Sequence, residues 1–317
     1  MKLILQATWF KRGGIHELSQ LHDILKRYWG YEDFRPLQLE IIESVVRGQD
    51  TLGLMPTGGG KSITFQVYSL SVPGLCLVIT PLISLMKDQV ENLRQRGIRA
   101  LAIHSGMSFQ EVRLAMDAAL WGEYKFLYLS PERLATERFL ERLPNMNVNL
   151  IAVDEAHCIS QWGYDFRPSY RKIKALRSYL PQVPVLALTA TATRAVARDI
   201  QQQLAFKKGN ILRKSFYRDN LIYLVRQRED KNAYLLESVK RAGGSGIIYV
   251  KSRKQAREIS ILLKENGESV DYYHAGLSAR QRTMKQEGWK QGAIRIIVAT
   301  NAFGMGIDKP DVRFVIH

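Results

Sequence analysis

Cysteine is scarce in this sequence, and so is acid. Only Cys76 and Cys158 occur among 317 residues. Two distant thiols exclude a four-thiolate zinc site, and no zinc site is expected in this chain. Cys76 lies in the apolar run at residues 75–80 and reads as core. A reducing compartment fits this usage. Long apolar runs are also missing: Pro81 breaks the best candidate, so nothing reaches membrane-spanning length and no membrane partner is expected. The opening Met1-Lys2-Leu3-Ile4-Leu5-Gln6 carries one charge and a short apolar stretch. Gln6 interrupts that stretch and no small-residue cleavage site follows, which argues against secretion. Acid falls short of base, with 30 Asp+Glu against 46 Lys+Arg, a net charge of +16 and a pI near 9.8. Such an excess predicts an anionic partner. It is uneven: residues 1–210 hold 26 basic against 19 acidic side chains, and residues 211–317 hold 20 against 11.

The sequence does have an apolar share of 46%, enough to fold, and a length that exceeds one comfortable core. It also has a glycine-rich loop, Met55-Pro56-Thr57-Gly58-Gly59-Gly60-Lys61-Ser62, between a short β-type run at residues 51–54 and a predicted helix at residues 62–70. Three glycines let backbone N–H groups approach an anion closely, and the helix start adds its dipole and unpaired donors. Lys61 can reach the outer phosphates of a nucleotide, and the Ser62 hydroxyl suits magnesium. This is a Walker A cradle with one departure: Met55 stands where the strict pattern has glycine.

Downstream the chain alternates. Strands are predicted at residues 75–80, 100–103, 126–129, 150–153 and 185–188, and helices at 84–96, 108–120 and 193–204. Two further helices, at residues 16–29 and 36–46, precede the cradle. A second alternation begins near Ile211, with strands at 221–225, 246–250, 269–273, 294–299 and 312–316 and helices at 232–241, 253–264 and 278–289. Strands alternating with helices imply parallel sheets covered on both faces. The fold class is therefore α/β, with two parallel-sheet domains in tandem and nucleotide expected in the crevice between them. The expected division is an extension at 1–20, a first domain at 21–208 and a second at 209–317.

Asp154 and Glu155 follow an apolar strand, at the carboxyl end where the crevice of an open sheet lies. Asp154 there can hold magnesium through water, and Glu155 can orient the water that attacks a γ-phosphate. His157 has no metal-ligand companions in its neighbourhood and reads as a hydrogen-bonding relay. Gln38 has an amide that can donate and accept, as an adenine edge asks, although a surface glutamine is the default. Trp162, Tyr164 and Phe166 lie in a polar Gly- and Pro-containing segment. Such rings either stack on unpaired bases or plug a gap between loop and sheet. Arg167 offers a phosphate or stacking contact.

These motifs resemble the RecQ helicases, within the superfamily-two helicases. Gly30-Tyr31 with Phe34-Arg35-Pro36 and Gln38 is similar to that family's adenine-recognition element. Residues 55–62 match its Walker A, methionine included. Residues 80–89 match motif Ia, 130–134 motif Ib, 154–157 motif II, 158–168 the aromatic-rich loop and 188–192 motif III. Residues 247–250 with Ser252-Arg253 match motif IV, and residues 299–310 match motif V. The resemblance runs in order from about Leu21 to His317, and its aromatic-rich loop is specific to the family. It implies two RecA-like domains and an ATP- and Mg²⁺-dependent DNA helicase moving 3′ to 5′ on single-stranded DNA and unwinding duplex DNA in repair or recombination. That activity belongs in a bacterial cytoplasm, at the nucleoid, or in a nucleus. Lys61, Asp154, Glu155 and His157 take the catalytic roles, with Ser62 and Asp154 on the metal. Tyr31, Arg35, Gln38, Thr57, Gly58, Gly59, Gly60, Lys61, Ser62 and Asp308 take the nucleotide. Lys87, Arg133, Gln161, Trp162, Phe166, Arg167 and Ser252 take the nucleic acid, and Thr189 and Thr191 link the two domains through their hydroxyls.

The family's motif VI, which supplies arginine fingers, has no counterpart among these residues. An incomplete second domain with an exposed sheet edge is therefore expected, and feeble unwinding with it. Three readings follow: such a helicase; a module that binds ATP and single-stranded DNA with little hydrolysis; or another superfamily-two motor such as an RNA helicase. The aromatic-rich loop argues against the third.

Overall fold

The computed structural model describes residues 15–163, 165–215, 217, 220–304 and 309–317. Tyr164, Asp308 and the residues of the motif V match at 305–307 lie outside the described residues, as does the loop expected at Gly13-Gly14. The chain divides into two compact units, Met1–Arg218 and Asp219–His317.

The first unit opens with helices α1 (Ile15–Trp29) and α2 (Gln38–Val46). Strands β1 (Thr51–Leu54), β2 (Leu75–Ile79), β3 (Ala100–Ile103), β4 (Phe126–Leu129), β5 (Val148–Val153), β6 (Val185–Thr189) and β7 (Ile211–Arg213) form one sheet in the order β3-β4-β2-β5-β6-β1-β7. Every pairing is parallel. Helices α3 (Lys61–Ser71), α4 (Ile83–Gln95), α5 (Phe109–Trp121), α6 (Glu137–Arg142), α7 (Leu176–Tyr179) and α8 (Arg194–Gln203) make the crossovers, with 3-10 turns between some of them.

The continuous apolar runs arise because both sheet faces are covered. Successive side chains point to opposite faces, so β2 sends Leu75, Leu77 and Ile79 into one core cluster and Cys76 and Val78 into the other. β4 splits likewise, Leu127 and Leu129 against Phe126 and Tyr128. Cys76 is core, fully buried, as its sequence context predicts. Burial pushes its thiol up to about 12.

A buried ion pair closes the far side of this unit. Asp50, just before β1, pairs with Arg177 of α7 and also accepts from the backbone N–H of Val185 at 3.0 Å and of Lys207 at 2.8 Å. One carboxylate thereby holds β6, α7 and the turn after α8 to the start of β1.

The second unit contains β8 (Ser245–Tyr249), β9 (Val270–Tyr273), β10 (Ile296–Ala299) and β11 (Val312–Ile316), all parallel, in the order β11-β8-β10-β9. Helix α9 (Lys231–Arg241) leads into β8, α10 (Arg253–Glu265) connects β8 to β9, and α11 (Ala279–Lys290) connects β9 to β10. Ile248, Ile296 and Val298 pack with Val239 of α9 and Leu263 of α10 on one face. Ile297 and Ala299 pack with Trp289 and Phe303 on the other.

Two sequence expectations change. Ile211–Arg213, read as opening the second alternation, pairs with β1 and joins the first sheet. The strand expected at residues 221–225 does not form; Ile222, Tyr223 and Val225 are largely exposed. Alternating apolar residues make a strand only where a neighbour takes the backbone hydrogen bonds, and no described strand lies beside this segment.

Candidate functional site

Strand order builds the site. β1, β6 and β5 are consecutive in the sheet, and parallel pairing brings their carboxyl ends to one edge. The glycine-rich loop leaves β1, Thr189 ends β6, and Asp154 follows β5. Neighbouring strands stand about 4.8 Å apart, so the loop and the acids flank a gap roughly two strand spacings wide. The loop is tied to its neighbour directly: the Met55 N–H donates to the Thr189 carbonyl at 3.1 Å. Met55 itself is buried in the core cluster behind the loop, which is what a large residue at this position can do and glycine cannot.

The loop needs its glycines. Gly58 and Gly60 sit at φ +76° and +73°, where a side chain is strained. A Cβ on Gly60 would come within 2.3 Å of Gln38 Nε2. Gln38 is buried, and its amide donates to the carbonyls of Gly60 at 3.0 Å and Gly59 at 3.3 Å while accepting from Arg35 N–H at 2.8 Å. The Arg35 guanidinium donates to the Gly58 carbonyl at 2.7 Å and lies 5.9 Å from the ring of half-exposed Tyr31. Three successive loop carbonyls are thus held from the side of α2. Gln38 engages the cradle itself, so neither the surface default nor a free adenine-facing amide describes it in this conformation. Lys61 and Ser62 open α3, Thr57 is exposed, and Thr64 Oγ1 donates to the Lys61 carbonyl at 2.6 Å.

Asp154 is buried, anchored by its N–H on the Ile79 carbonyl at 2.8 Å. Burial pushes its carboxyl up to about 6; Glu155 adds to the rise and Lys61 opposes it. Glu155 adopts the left-handed conformation at φ +46°, a backbone that costs energy outside glycine. Burial raises its carboxyl too, but the His157 hydrogen bond and the Lys61 charge outweigh that and hold it below the ordinary range. Glu155 Oε2 lies 3.3 Å from His157 Nδ1, which is also 2.9 Å from Thr189 Oγ1. His157 thus contacts both the acid pair and the end of β6. Thr189 is fully buried and receives the Thr191 N–H at 3.2 Å. Its hydroxyl makes both of these contacts within the first unit. Tyr170 is fully buried and donates to the Asp154 carbonyl at 3.0 Å. Sequence reasoning missed it because nothing in the local pattern points a tyrosine sixteen residues on at this turn.

The expected nucleic-acid residues divide. Gln161 and Trp162 are exposed on the turn after β5, Trp162 at 79%; a ring so open plugs no gap. Phe166 is half-buried beneath the Arg171 guanidinium, 5.1 Å from its centroid. Arg167 ties the loop down, donating to the Pro81 carbonyl at 2.9 Å and pairing with Asp165 at 3.2 Å. Arg133 donates to the His104 carbonyl at 3.0 and 3.2 Å. Lys87 is exposed on α4. Ser252, in the second unit, caps α10 by accepting the Gln255 N–H at 3.1 Å. Two of the three cations expected on phosphates thus spend donors on carbonyls of the first unit.

These residues fit a magnesium nucleotide. A buried carboxylate whose proton affinity is raised by desolvation gains from a divalent cation, and the glycine cradle with Lys61 suits phosphate. Among the described residues, no helix is long and apolar enough to cross a membrane.

The DEAD/DEAH box helicase family model matches residues 35–200, and that of the helicase conserved C-terminal domain matches residues 230–317. The chain is 45% identical over 303 residues to the ATP-dependent DNA helicase RecQ of Bacillus subtilis, covering 95% of this chain and 51% of that protein. It is 40% identical over 312 residues to the ATP-dependent helicase SGS1 of Saccharomyces cerevisiae, covering 95% of this chain and 21% of the relative. The chain thus spans about half the length, or less, of these relatives. Among solved structures, Mycobacterium smegmatis helicase Lhr bound to ssDNA and AMP-PNP superposes with a TM-score of 0.69 at 18% identity, over 94% of this chain and 44% of that one. These matches agree with two tandem RecA-like parallel-sheet units.

Proposed function

The chain belongs to the DEAD/DEAH box helicases, and from that premise we propose that it is the motor part of a RecQ-type ATP-dependent DNA helicase. Residues 21–208 form its ATP-binding domain, to whose sheet Ile211–Arg213 adds an edge strand, and the second compact unit, Asp219–His317, contributes the second motor domain. The observation that carries this reading is the placement of the Lys61 loop and the Asp154–Glu155 turn at the carboxyl ends of β1 and β5, on either side of Thr189.

In this mechanism the loop between Thr57 and Ser62 cradles the phosphates and Lys61 balances their charge, while Tyr31 and Arg35 lie on the side where the base enters. Gln38 sets the loop's carbonyls and passes to the adenine edge when nucleotide arrives. Ser62 and Asp154 would hold Mg²⁺, which would supply charge neutralisation to the phosphates. Glu155, kept ionised by His157 and Lys61, orients the attacking water. Thr189 fixes His157, so the end of β6 senses the state of the acid pair.

Single-stranded DNA lies against Gln161 and Trp162, with Phe166 beneath, and its backbone runs past Lys87 and Arg133 of the first unit; Ser252 is a separate backbone contact of the second unit. Arg167 acts through the loop's anchorage to Pro81 as well as on phosphate. Backbone contacts carry no sequence information, so binding is sequence-tolerant and salt-sensitive. Cycles of ATP binding and hydrolysis then drive 3′-to-5′ movement and duplex unwinding in repair or recombination, at the nucleoid or in a nucleus.

Phosphate release by this chain, with and without single-stranded DNA, tests the proposal. DNA-stimulated release that Lys61→Ala abolishes is the expected result. Release unaffected by Lys61→Ala overturns it, and stimulation by RNA alone favours an RNA-directed motor.

A further inference from the structure

Sequence reading leaves His157 without metal-ligand companions. The fold supplies two. Cys158 is adjacent and fully buried, and Asp165 returns from the aromatic-rich loop, so that one ligand atom from each of the three lies within 4.8 Å of the others. His157 Nε2 is 3.8 Å from Cys158 Sγ, and Sγ is 3.6 Å from Asp165 Oδ2. A tetrahedral cation with bonds of about 2.3 Å to sulfur and about 2.0–2.1 Å to nitrogen or oxygen sets its ligand atoms roughly 3.6 Å apart. The two spacings to sulfur are close to those edges before any rearrangement, and the third stays within 4.8 Å.

The surroundings fit as well. Glu155 Oε2 lies 3.3 Å from His157 Nδ1, the carboxylate–histidine arrangement that fixes a ligating imidazole with Nε2 toward the metal. Arg167 Nη2 donates to Asp165 Oδ2 at 3.2 Å, and ligating carboxylates are commonly held by such a donor. A thiolate and a carboxylate balance a divalent charge, while Glu155 and Arg167 balance each other.

We propose that His157, Cys158 and Asp165 form a three-ligand site for a thiophilic divalent cation, Zn²⁺ by ligand type, that clasps the turn after β5 to the aromatic-rich loop. Binding replaces the Cys158 S–H bond with a metal–sulfur bond and releases one proton to solvent. It pins Asp165, three residues from Trp162, against the turn that carries Asp154 and Glu155. The site is distinct from the magnesium position: it uses sulfur and imidazole, and Asp154 is not among its ligands.

Co²⁺ titration of the metal-free chain, without nucleotide, reads the site directly through thiolate-to-cobalt charge transfer. The expected result is a band that saturates near one equivalent, shows the visible absorption of tetrahedral cobalt and is bleached by one equivalent of Zn²⁺. Cys158→Ala removes the band, Cys76→Ala keeps it, and Asp165→Asn weakens cobalt binding at least tenfold. Asp165 is half-buried, so its variant keeps the test open should Cys158→Ala fold poorly. No band at one equivalent, a band that survives Cys158→Ala, or unchanged affinity in Asp165→Asn overturns the proposal. Because the readout is spectroscopic, it is independent of whether the chain hydrolyses ATP.

Discussion

The imidazole of His157 meets the hydroxyl of Thr189 at 2.9 Å, and both side chains are buried. One hydrogen bond therefore joins the turn that carries the acid pair to the end of the strand between it and the glycine-rich loop. Thr189→Val keeps the shape and removes the hydroxyl. The imidazole loses one orienting partner and the Thr191 N–H loses its acceptor, a cost of about 1–3 kcal/mol for buried groups. Phosphate release is expected to fall about ten- to a hundredfold while nucleotide affinity, measured by fluorescent-analogue titration, stays within about threefold. Equal losses in both would place Thr189 in ground-state binding instead.

Asp154 sets a pH dependence. Its carboxyl is raised from 3.8 to about 6, mainly by burial. As pH climbs from 4 toward 6, the unfolded chain gives up this proton before the folded chain does. The ligand-free fold accordingly loses stability across that window, by an amount of the order of 3 kcal/mol at most. Asp154→Asn escapes the loss. Thermal melts in a chelator are expected to show the variant more stable than the parent above pH 6, with the difference vanishing below pH 4. The same variant is expected to lose phosphate release by more than a hundredfold.

Gly60→Ala tests the cradle. Its Cβ would sit 2.3 Å from Gln38 Nε2 in a backbone at φ +73°. Gln38 must leave, freeing the carbonyls it holds, and the strained backbone adds about 1–2 kcal/mol. Nucleotide affinity is expected to fall at least tenfold, with a drop in melting temperature of a few degrees. Retention of wild-type affinity would mean that Gln38 does not shape the loop.

Asp50 is a structural test with no catalytic content. Removing it as Asp50→Ala takes the carboxylate from the largely covered Arg177, which keeps only its carbonyl partners Val183 and Ala205, and leaves two backbone N–H groups without this acceptor. Breaking a buried pair in this way costs about 3–5 kcal/mol. Urea denaturation is expected to report a loss in that range for the first unit.

Trp162→Ala separates DNA coupling from hydrolysis. The ring is 79% exposed, so its loss costs the fold little. A stacked base is worth about 1–3 kcal/mol. Stimulation by single-stranded DNA is expected to fall at least fivefold with the DNA-free rate unchanged. Undiminished stimulation would remove Trp162 from the path.

The sequence by itself determined where the buried strands lie and that the sheets are parallel, because alternation of apolar runs with amphipathic helices is a local signal. It also determined the glycine-rich loop, whose backbone demand is written into three consecutive residues, and the acid pair after β5. Partnership was decided only in three dimensions. Residues 221–225 have the alternation of a strand and stay unpaired, while Ile211–Arg213 crosses to the first sheet, because pairing depends on which edge is within reach. Gln38 and Arg133 read as ligand contacts, yet their donors go to carbonyls 22 and 29 residues away in the chain. The companions of His157 were invisible for the same reason: a polar side chain's role is fixed by the atoms packed within hydrogen-bonding distance, and tertiary packing chooses those atoms.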